Sequence, residues 1–449
     1  MSAVSTFRLP ALSRLALAAA LALGASPYAQ AQSLLELYDT ARGYDATYLA
    51  ARALADSAQY RAEQAHAARR PQLNADLTYA RTTNDSPQGE TNTLGPNAAV
   101  RATQSLFNRA SDATISQADL GVESAKADLQ IAEQDLIIRL AQAYFDVLAA
   151  QDTLTTAQAS KKAISEQLAS AKRNFEVGTA TITDTREAQA RFDLTTAQEI
   201  AAENDLLTKR IALDQLVGRT GVQPNPLATP VVLPPVAPTD VNEWVSKTEE
   251  APQVRRQRVT YEQAQLETSK ARAGHLPTVG LEAGYSKGRT TIDGTQSGFP
   301  FERSGPTSGS NIGVRVTVPL FAGFAVQNRV KETLLLEEQA RNGLEASRRN
   351  VAQATRQSFF GVQSLAAQAK ALEAAEASSQ VALEATQLGY RVGVRVNLDV
   401  LNAQTQLFTT RRDLARARYD VLLNSLRLRQ AAGQLTQADV ATINNFLAR

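Results

Sequence analysis

Asn174-Phe175-Glu176-Val177-Gly178-Thr179-Ala180-Thr181-Ile182-Thr183-Asp184 is answered later in the chain by Gly389-Tyr390-Arg391-Val392-Gly393-Val394-Arg395-Val396-Asn397-Leu398-Asp399. The second stretch lies 215 positions after the first, and the same shift takes Tyr144-Phe145 to Phe359-Phe360 and Gly218 to Gly433. One inserted residue in a helix rotates everything beyond it by about 100°. A shift held over so long a stretch therefore marks a duplication in which geometry fixes helix length. Upstream, Arg70-Pro71-Gln72-Leu73 is matched by His275-Leu276-Pro277-Thr278-Val279 at a shift of 206, which becomes 214 at Phe107 and Phe321. The second copy thus has 8 extra residues between its two strand segments. A loop is the place expected to absorb them.

From Arg109 to Glu176 there is no proline and only Gly121, and most residues are good helix formers. Leu136, Leu140, Ala143, Val147, Ala150, Leu154, Ala157, Lys161, Ile164 and Leu168 alternate spacings of four and three, a coiled-coil seam broken only by Lys161. Such a segment predicts a helix of about 100 Å, repeated over 325–391. Helices of about half that length are expected at 183–217 and 397–432, and again before the strands at 34–68 and 241–273. Two of these stacked end to end would match one long helix.

The strand signals alternate. Leu73, Ala75, Leu77 and Tyr79 oppose Asn74, Asp76 and Thr78, and Val279, Leu281, Ala283 and Tyr285 oppose Thr278, Gly280, Glu282 and Gly284. Ile312, Val314, Val316, Val318 and Leu320 oppose Gly313, Arg315 and Thr317, and a weaker alternation from Ala98 to Phe107 makes four. Segments of about 9 to 11 residues with one apolar and one polar face suit tilted outer-membrane strands around an aqueous lumen. A soluble sheet packed on helices is the competing structure, but helices this polar offer no apolar partner. Four strands cannot close a barrel, for which about eight are the minimum. A trimer supplies twelve strands and a ring of twelve helical columns. Segments 82–97 and 287–310, rich in Gly, Ser, Thr, Asn and Pro, are expected as exposed loops at the outer face. The proline-rich stretch 224–238 is expected as an extended linker against the outside of the helical column.

Arg8 and Arg14 precede the apolar run 15–23, and Ala29-Gln30-Ala31 offers a small-residue cleavage site. The run is too short for a membrane-spanning helix, so residues 1–31 are expected to be a secretory signal peptide. The remaining boundaries follow the duplication: first repeat 32–223, linker 224–239, second repeat 240–434 and a C-terminal segment 435–449. Cysteine is absent, which excludes disulfides, thiolate metal sites and a lipidated N-terminal cysteine. His66 and His275 precede the two strand signals and read as repeat residues, not metal ligands. The net charge is +2 with mixed signs, so nothing suggests nucleic acid as a partner. No metal or cofactor is expected.

The duplicated order of strand pair, long helix, Val-Gly turn and returning helix closely resembles the TolC-type outer-membrane exit-duct family. Its most specific pieces are Gln104-Ser105-Leu106-Phe107, Ala143-Tyr144-Phe145-Asp146-Val147-Leu148, Val177-Gly178 to Ile182-Thr183-Asp184, His275-Leu276-Pro277-Thr278 and Gly389-Tyr390 to Asp399-Val400-Leu401. The resemblance implies an α+β membrane protein: a homotrimer whose transmembrane β-barrel, embedded in outer-membrane lipid, joins a long α-helical coiled-coil barrel crossing the periplasm. It further implies that an inner-membrane transporter and a periplasmic adaptor dock at the tapered end.

By the same resemblance, Tyr390 and Arg395 are the constriction residues, bridging to Thr183 and Asp184 partly across the protomer boundary. An arginine–carboxylate link with a tyrosine hydroxyl donor is charge-assisted, and ordinary helix-end charges are the bland alternative. Asp399 corresponds to a ring of three carboxylates. The second ring that family members often carry one turn on is here Asn402, so a weaker cation site is expected. Arg391 departs towards positive charge as well. Val177-Gly178-Thr179 and Val392-Gly393-Val394 make the tip turns, the valines either serving as apolar knobs for the adaptor or simply completing the turn.

The function that follows is a passive exit duct for efflux or type I secretion, gated at its periplasmic end and without catalytic residues. The chain has no phosphate loop, no cysteine nucleophile and no histidine-centred triad. A non-conducting periplasmic coiled-coil tether is the alternative, which the amphipathic strands disfavour. A barrel lipase lacks its nucleophile–histidine pair.

Overall fold

The computed structural model describes residues 32–87, 89–231, 233–296 and 298–448, so the expected signal peptide lies outside the described residues. In chain order the elements are α1 (Leu34–Tyr44), α2 (Ala46–His66), β1 (Gln72–Ser86), β2 (Gly89–Phe107), α3 (Arg109–Glu176), α4 (Ile182–Val217), α5 (Val241–Ser246), α6 (Pro252–Ala273), β3 (Thr278–Gln296), β4 (Phe299–Thr317), α7 (Ala325–Arg391), α8 (Asn397–Ala431) and α9 (Gln437–Asn444). The long helices α3 and α7 run for 68 and 67 residues with the bounds the composition predicts.

Each expected half-length helix before a strand pair is instead broken. The breaks fall at Asp45 (φ −59°, ψ 114°) and Ala251 (φ −58°, ψ 138°), 206 positions apart and so equivalent in the two copies. The cause lies in the returning helices. α4 ends at Gly218 and α8 is followed by Gly433, both at φ +73°, a conformation glycine adopts without strain. A Cβ on Gly218 would lie 2.5 Å from the Tyr44 ring, and one on Gly433 would lie 2.4 Å from the Ala251 Cα. The ends of the half-length helices thus meet closely at each break. Pro252 opens α6, where its missing N–H costs nothing.

At the first break Asp45 does two jobs. Its carboxylate accepts from the Tyr48 N–H at 2.7 Å, capping α2, and takes a bidentate pair from Arg139 at 2.9 and 3.0 Å. Arg139 hydrogen bonds hold the Asp45 carboxyl below the usual carboxylate range against its burial. Its contribution is therefore present above the unfolded pKa and lost as pH falls through the depressed folded value. Asp45→Ala is expected to cost about 2–4 kcal/mol, and Asp45→Asn, which keeps the cap, about 1 kcal/mol less. Thermal melts of the two variants at pH 7 check the order; equal melts would mean that the cap contributes nothing.

The coiled-coil seam packs as expected over much of its length. Leu136, Leu140, Val147, Ala150, Ile164 and Leu168 are buried. Lys161, the break in the seam, sends its ammonium to Glu199 at 2.6 Å and lies over the Phe192 ring. The largest core forms midway along α3, where Tyr38, Tyr144, Phe145 and Tyr419 gather with α1, α9 and linker residues Leu227 and Leu233. The Tyr144 hydroxyl donates towards the carbonyls of Gln32 and Asn225 at 3.2 and 3.0 Å. Here the copies diverge: Phe145 is buried, whereas its equivalent Phe360 is 55% exposed.

The four strands form one antiparallel meander in the order β1-β2-β3-β4. They are longer than expected, 15 residues for β1 and 19 for each of the others. Segments 82–97 and 287–310 are therefore not loops: pairing continues to Ser86↔Gly89 and to Gln296↔Phe299. Nor does one loop absorb the 8 extra residues of the second copy. β3 is four residues longer than β1, and Phe321 lies four residues past Thr317 whereas Phe107 ends β2. Each arm of the second hairpin has grown by the same amount, which is what antiparallel register requires. The apolar alternation stops well short of the hairpin ends, at Tyr79 and Tyr285, so a membrane-length band carries solvated extensions.

Candidate functional site

The two tip turns are superposable bond for bond. At the first, the N–H groups of Val177 and Gly178 donate to the carbonyls of Arg173 and Phe175 at 3.1 and 3.0 Å, and those of Thr179 and Ala180 share the Asn174 carbonyl at 2.8 and 3.2 Å. At the second, Val392 and Gly393 donate to Leu388 and Tyr390, both at 3.1 Å, and Val394 and Arg395 share the Gly389 carbonyl at 2.9 and 3.1 Å. Gly178 and Gly393 both sit at φ +78°, where a side chain would be strained. Val177, Val392 and Val394 are 72%, 65% and 78% exposed, and Thr179 is exposed beside them.

After each turn an aspartate restarts a helix. Asp184 makes a capping box, its N–H donating to Thr181 Oγ1 at 3.2 Å and its carboxylate accepting from the Thr181 N–H at 3.0 Å. Asp399 repeats half of this, accepting from the Val396 N–H at 3.4 Å, because Val396 has no hydroxyl to return the bond.

Within one protomer neither Tyr390 nor Arg395 reaches Thr183 or Asp184. The Tyr390 hydroxyl accepts from Asn174 Nδ2 at 3.3 Å, and the Arg395 guanidinium lies 3.7 Å from Asp399. Thr183 is exposed, and the Asp184 carboxylate is engaged by Thr181. Gly389 makes room for the Arg395 stem, since a Cβ there would lie 2.8 Å from its Cγ. Asn402 accepts from Arg191 at 3.0 Å.

A buried residue that also joins the helices at this end is Asn397, which sequence reasoning passed over. It is 1% exposed, donates to the Asp184 carbonyl at 3.3 Å and accepts from Gln167 Nε2. The signal was present: Asn397 stands where the first copy has the apolar Ile182. A buried polar side chain in that place has to find partners, and it finds them on α3 and α4.

The profile of the Outer membrane efflux protein family matches residues 37–219 and 246–434, one segment for each copy of the duplication. The chain belongs to this family. As an outer membrane efflux protein it is a non-enzymatic exit duct, trimeric, with its helical part in the periplasm. It is 33% identical to Outer membrane protein TolC of Vibrio cholerae over 92% of this chain and 93% of that protein. It is 31% identical to Outer membrane protein TolC of Escherichia coli over 95% and 87%. Alkaline protease secretion protein AprF of Pseudomonas aeruginosa is 32% identical over 70% of this chain and 65% of its own length. The fold matches the solved structure of CusC with a TM-score of 0.77 at 19% identity, covering 90% of this chain and 92% of that one. VceC of Vibrio cholerae matches with 0.75 at 19%, covering 89% and 96%.

Proposed function

We propose that three copies of this outer membrane efflux protein close a twelve-stranded barrel above a helical tunnel, and that the tunnel is held shut at the tip turns. In this arrangement Tyr390 and Arg395 link to Thr183 and Asp184, partly across the protomer boundary, and Asp399 rings the pore. Val177-Gly178-Thr179 and Val392-Gly393-Val394 receive the adaptor. The observation that carries the conduit is the sheet: one face is apolar, the other bears Asp76, Arg101, Glu282 and Arg315, and both β1 and β4 are edges. A lipid-exposed edge is not tolerated in a membrane, so other copies have to close the sheet. The similarity to AprF, named for alkaline protease secretion, and the match to the outer membrane efflux protein family support export through either secretion or efflux.

The tether reading would leave the sheet outside the bilayer, and extraction separates the two. The duct is expected to stay with outer membranes through high-salt and alkaline washing. Release of the protein into the wash would sink the conduit and favour the tether.

A further inference from the structure

Strand register assigns the two faces of the sheet. Leu73 pairs with Ala102, Ala102 with Ala283 and Ala283 with Ile312, so these four make one row on one face. Asn74, Arg101, Gly284 and Asn311 make the next row, on the other face. The first face carries the exposed Leu77, Tyr79, Val100, Tyr285, Val314 and Val316 and is the lipid side. The second carries the charged residues of the lumen.

On the lipid side the band ends in the same way in both copies. Tyr79-Ala80-Arg81 and Tyr285-Ser286-Lys287 are related by the shift of 206, and Arg289 adds a cation two residues further on. β1 and β3 both run from the helices towards the hairpin ends, so each cation lies just outside its tyrosine, at the outer-leaflet edge. Tyrosine marks the membrane–water boundary. Arg81, Lys287 and Arg289 are exposed, and none has an ion-pair partner among the described residues, whereas Arg315 on the lumen face holds Glu282 at 2.6 and 2.8 Å. The carboxylates of the lipid side, Asp85, Glu90, Asp293 and Glu302, sit in rows nearer the hairpin ends. Asp85 is four residues beyond Arg81, and Asp293 four beyond Arg289. That is about 13 Å along the strand, too far to neutralise them.

We propose that Arg81, Lys287 and Arg289 form a binding site on the barrel's outer wall for the phosphate groups of outer-leaflet lipid head groups. The proposal rests on the exit-duct reading, which turns this face to lipid. Three unpaired cations at a low-dielectric boundary need anions. The layer next to a tyrosine girdle supplies them as phosphate, which guanidinium groups bind bidentately. Lys287 and Arg289 point the same way about 7 Å apart, and Arg81 stands two strands away and level with Thr291, about 12 Å from Arg289, so one head group with two phosphates can engage both strands through Arg81 and Arg289. In the trimer the pattern recurs three times round the barrel. A free phosphate ion would match the cations but not the apolar band and tyrosines beneath them.

The test is native mass spectrometry of the detergent-purified trimer with lipid A bearing two phosphates, or with the same lipid after enzymatic dephosphorylation. The phosphorylated form is expected to be retained about tenfold more, the preference shrinking as salt rises. Arg81→Gln, Lys287→Gln and Arg289→Gln combined should bring the two forms to parity. Arg101→Gln, on the lumen face, should leave the preference intact. Equal retention by the unaltered trimer, or a preference that survives the triple variant, overturns the site. So does displacement of the lipid by equimolar inorganic phosphate, which would make this a free-anion site. Bilayer conductance of the same preparations keeps the two ideas apart. Channels without lipid preference leave the duct standing and remove the site, whereas a protein that never inserts removes both.

Discussion

Arg395→Ala combined with Tyr390→Phe is expected to raise single-channel conductance in planar bilayers several-fold over the unaltered protein. The tip residues are exposed, Arg395 at 61% of its side chain, so each proposed link is worth only about 0–1 kcal/mol. Six such links in a trimer, at roughly 0.5 kcal/mol each, would hold the closed end by about 3 kcal/mol. That keeps the open form near or below about 1%, a bias that binding of an adaptor can overcome. The double variant removes both hydroxyl and guanidinium while leaving the turn itself, whose bonds are all backbone. Within one protomer these two side chains hold only Asn174 and Asp399, each from its own turn or the neighbouring helix. If those contacts were their whole role, conductance would not change. A large conductance in the unaltered protein, indifferent to the substitutions, would leave a pore and remove the gate.

What the sequence made legible follows from where the determinants lie. The long helices end at Glu176 and Arg391 because residues inside them forbid nothing and the glycine after each forces the turn, so local reading suffices. The breaks at Asp45 and Ala251 were not legible in the same way. Their cause is Gly218 and Gly433, more than 170 residues away in chain order, approaching Tyr44 and Ala251. Pro252 was a local hint for one of them. The hairpin extensions were misjudged for a different reason. Beyond the bilayer both faces of a strand are solvated, so alternation vanishes and only Gly, Ser, Thr and Asn remain, which is also the composition of a loop. At the tips the glycines and the restarting aspartates were legible, but Asn397 had its meaning only once Gln167 and the Asp184 carbonyl were seen around it.

Asn402→Asp is expected to strengthen block of the channel by multivalent cations, but only slightly on its own, because Arg191 lies against that position. One turn of α8 separates residue 402 from Asp399, so the substitution would complete a second carboxylate ring in the trimer. Arg191, however, already donates to Asn402 Oδ1 at 3.0 Å. A carboxylate in that place would form a charge-assisted pair with the same guanidinium, and most of the added field would be spent locally. Asn402→Asp with Arg191→Gln releases the ring, and affinity for a trivalent cation such as hexaamminecobalt is expected to rise on the order of tenfold, against a much smaller gain for the single variant. Asp399→Asn alone should abolish block, because no other ring then remains. Titrating current against the cation at fixed voltage gives all three values. Equal gains in the single and double variants would mean that Arg191 turns away from the ring in the trimer. Block that persists without Asp399 would place the cation site elsewhere in the duct.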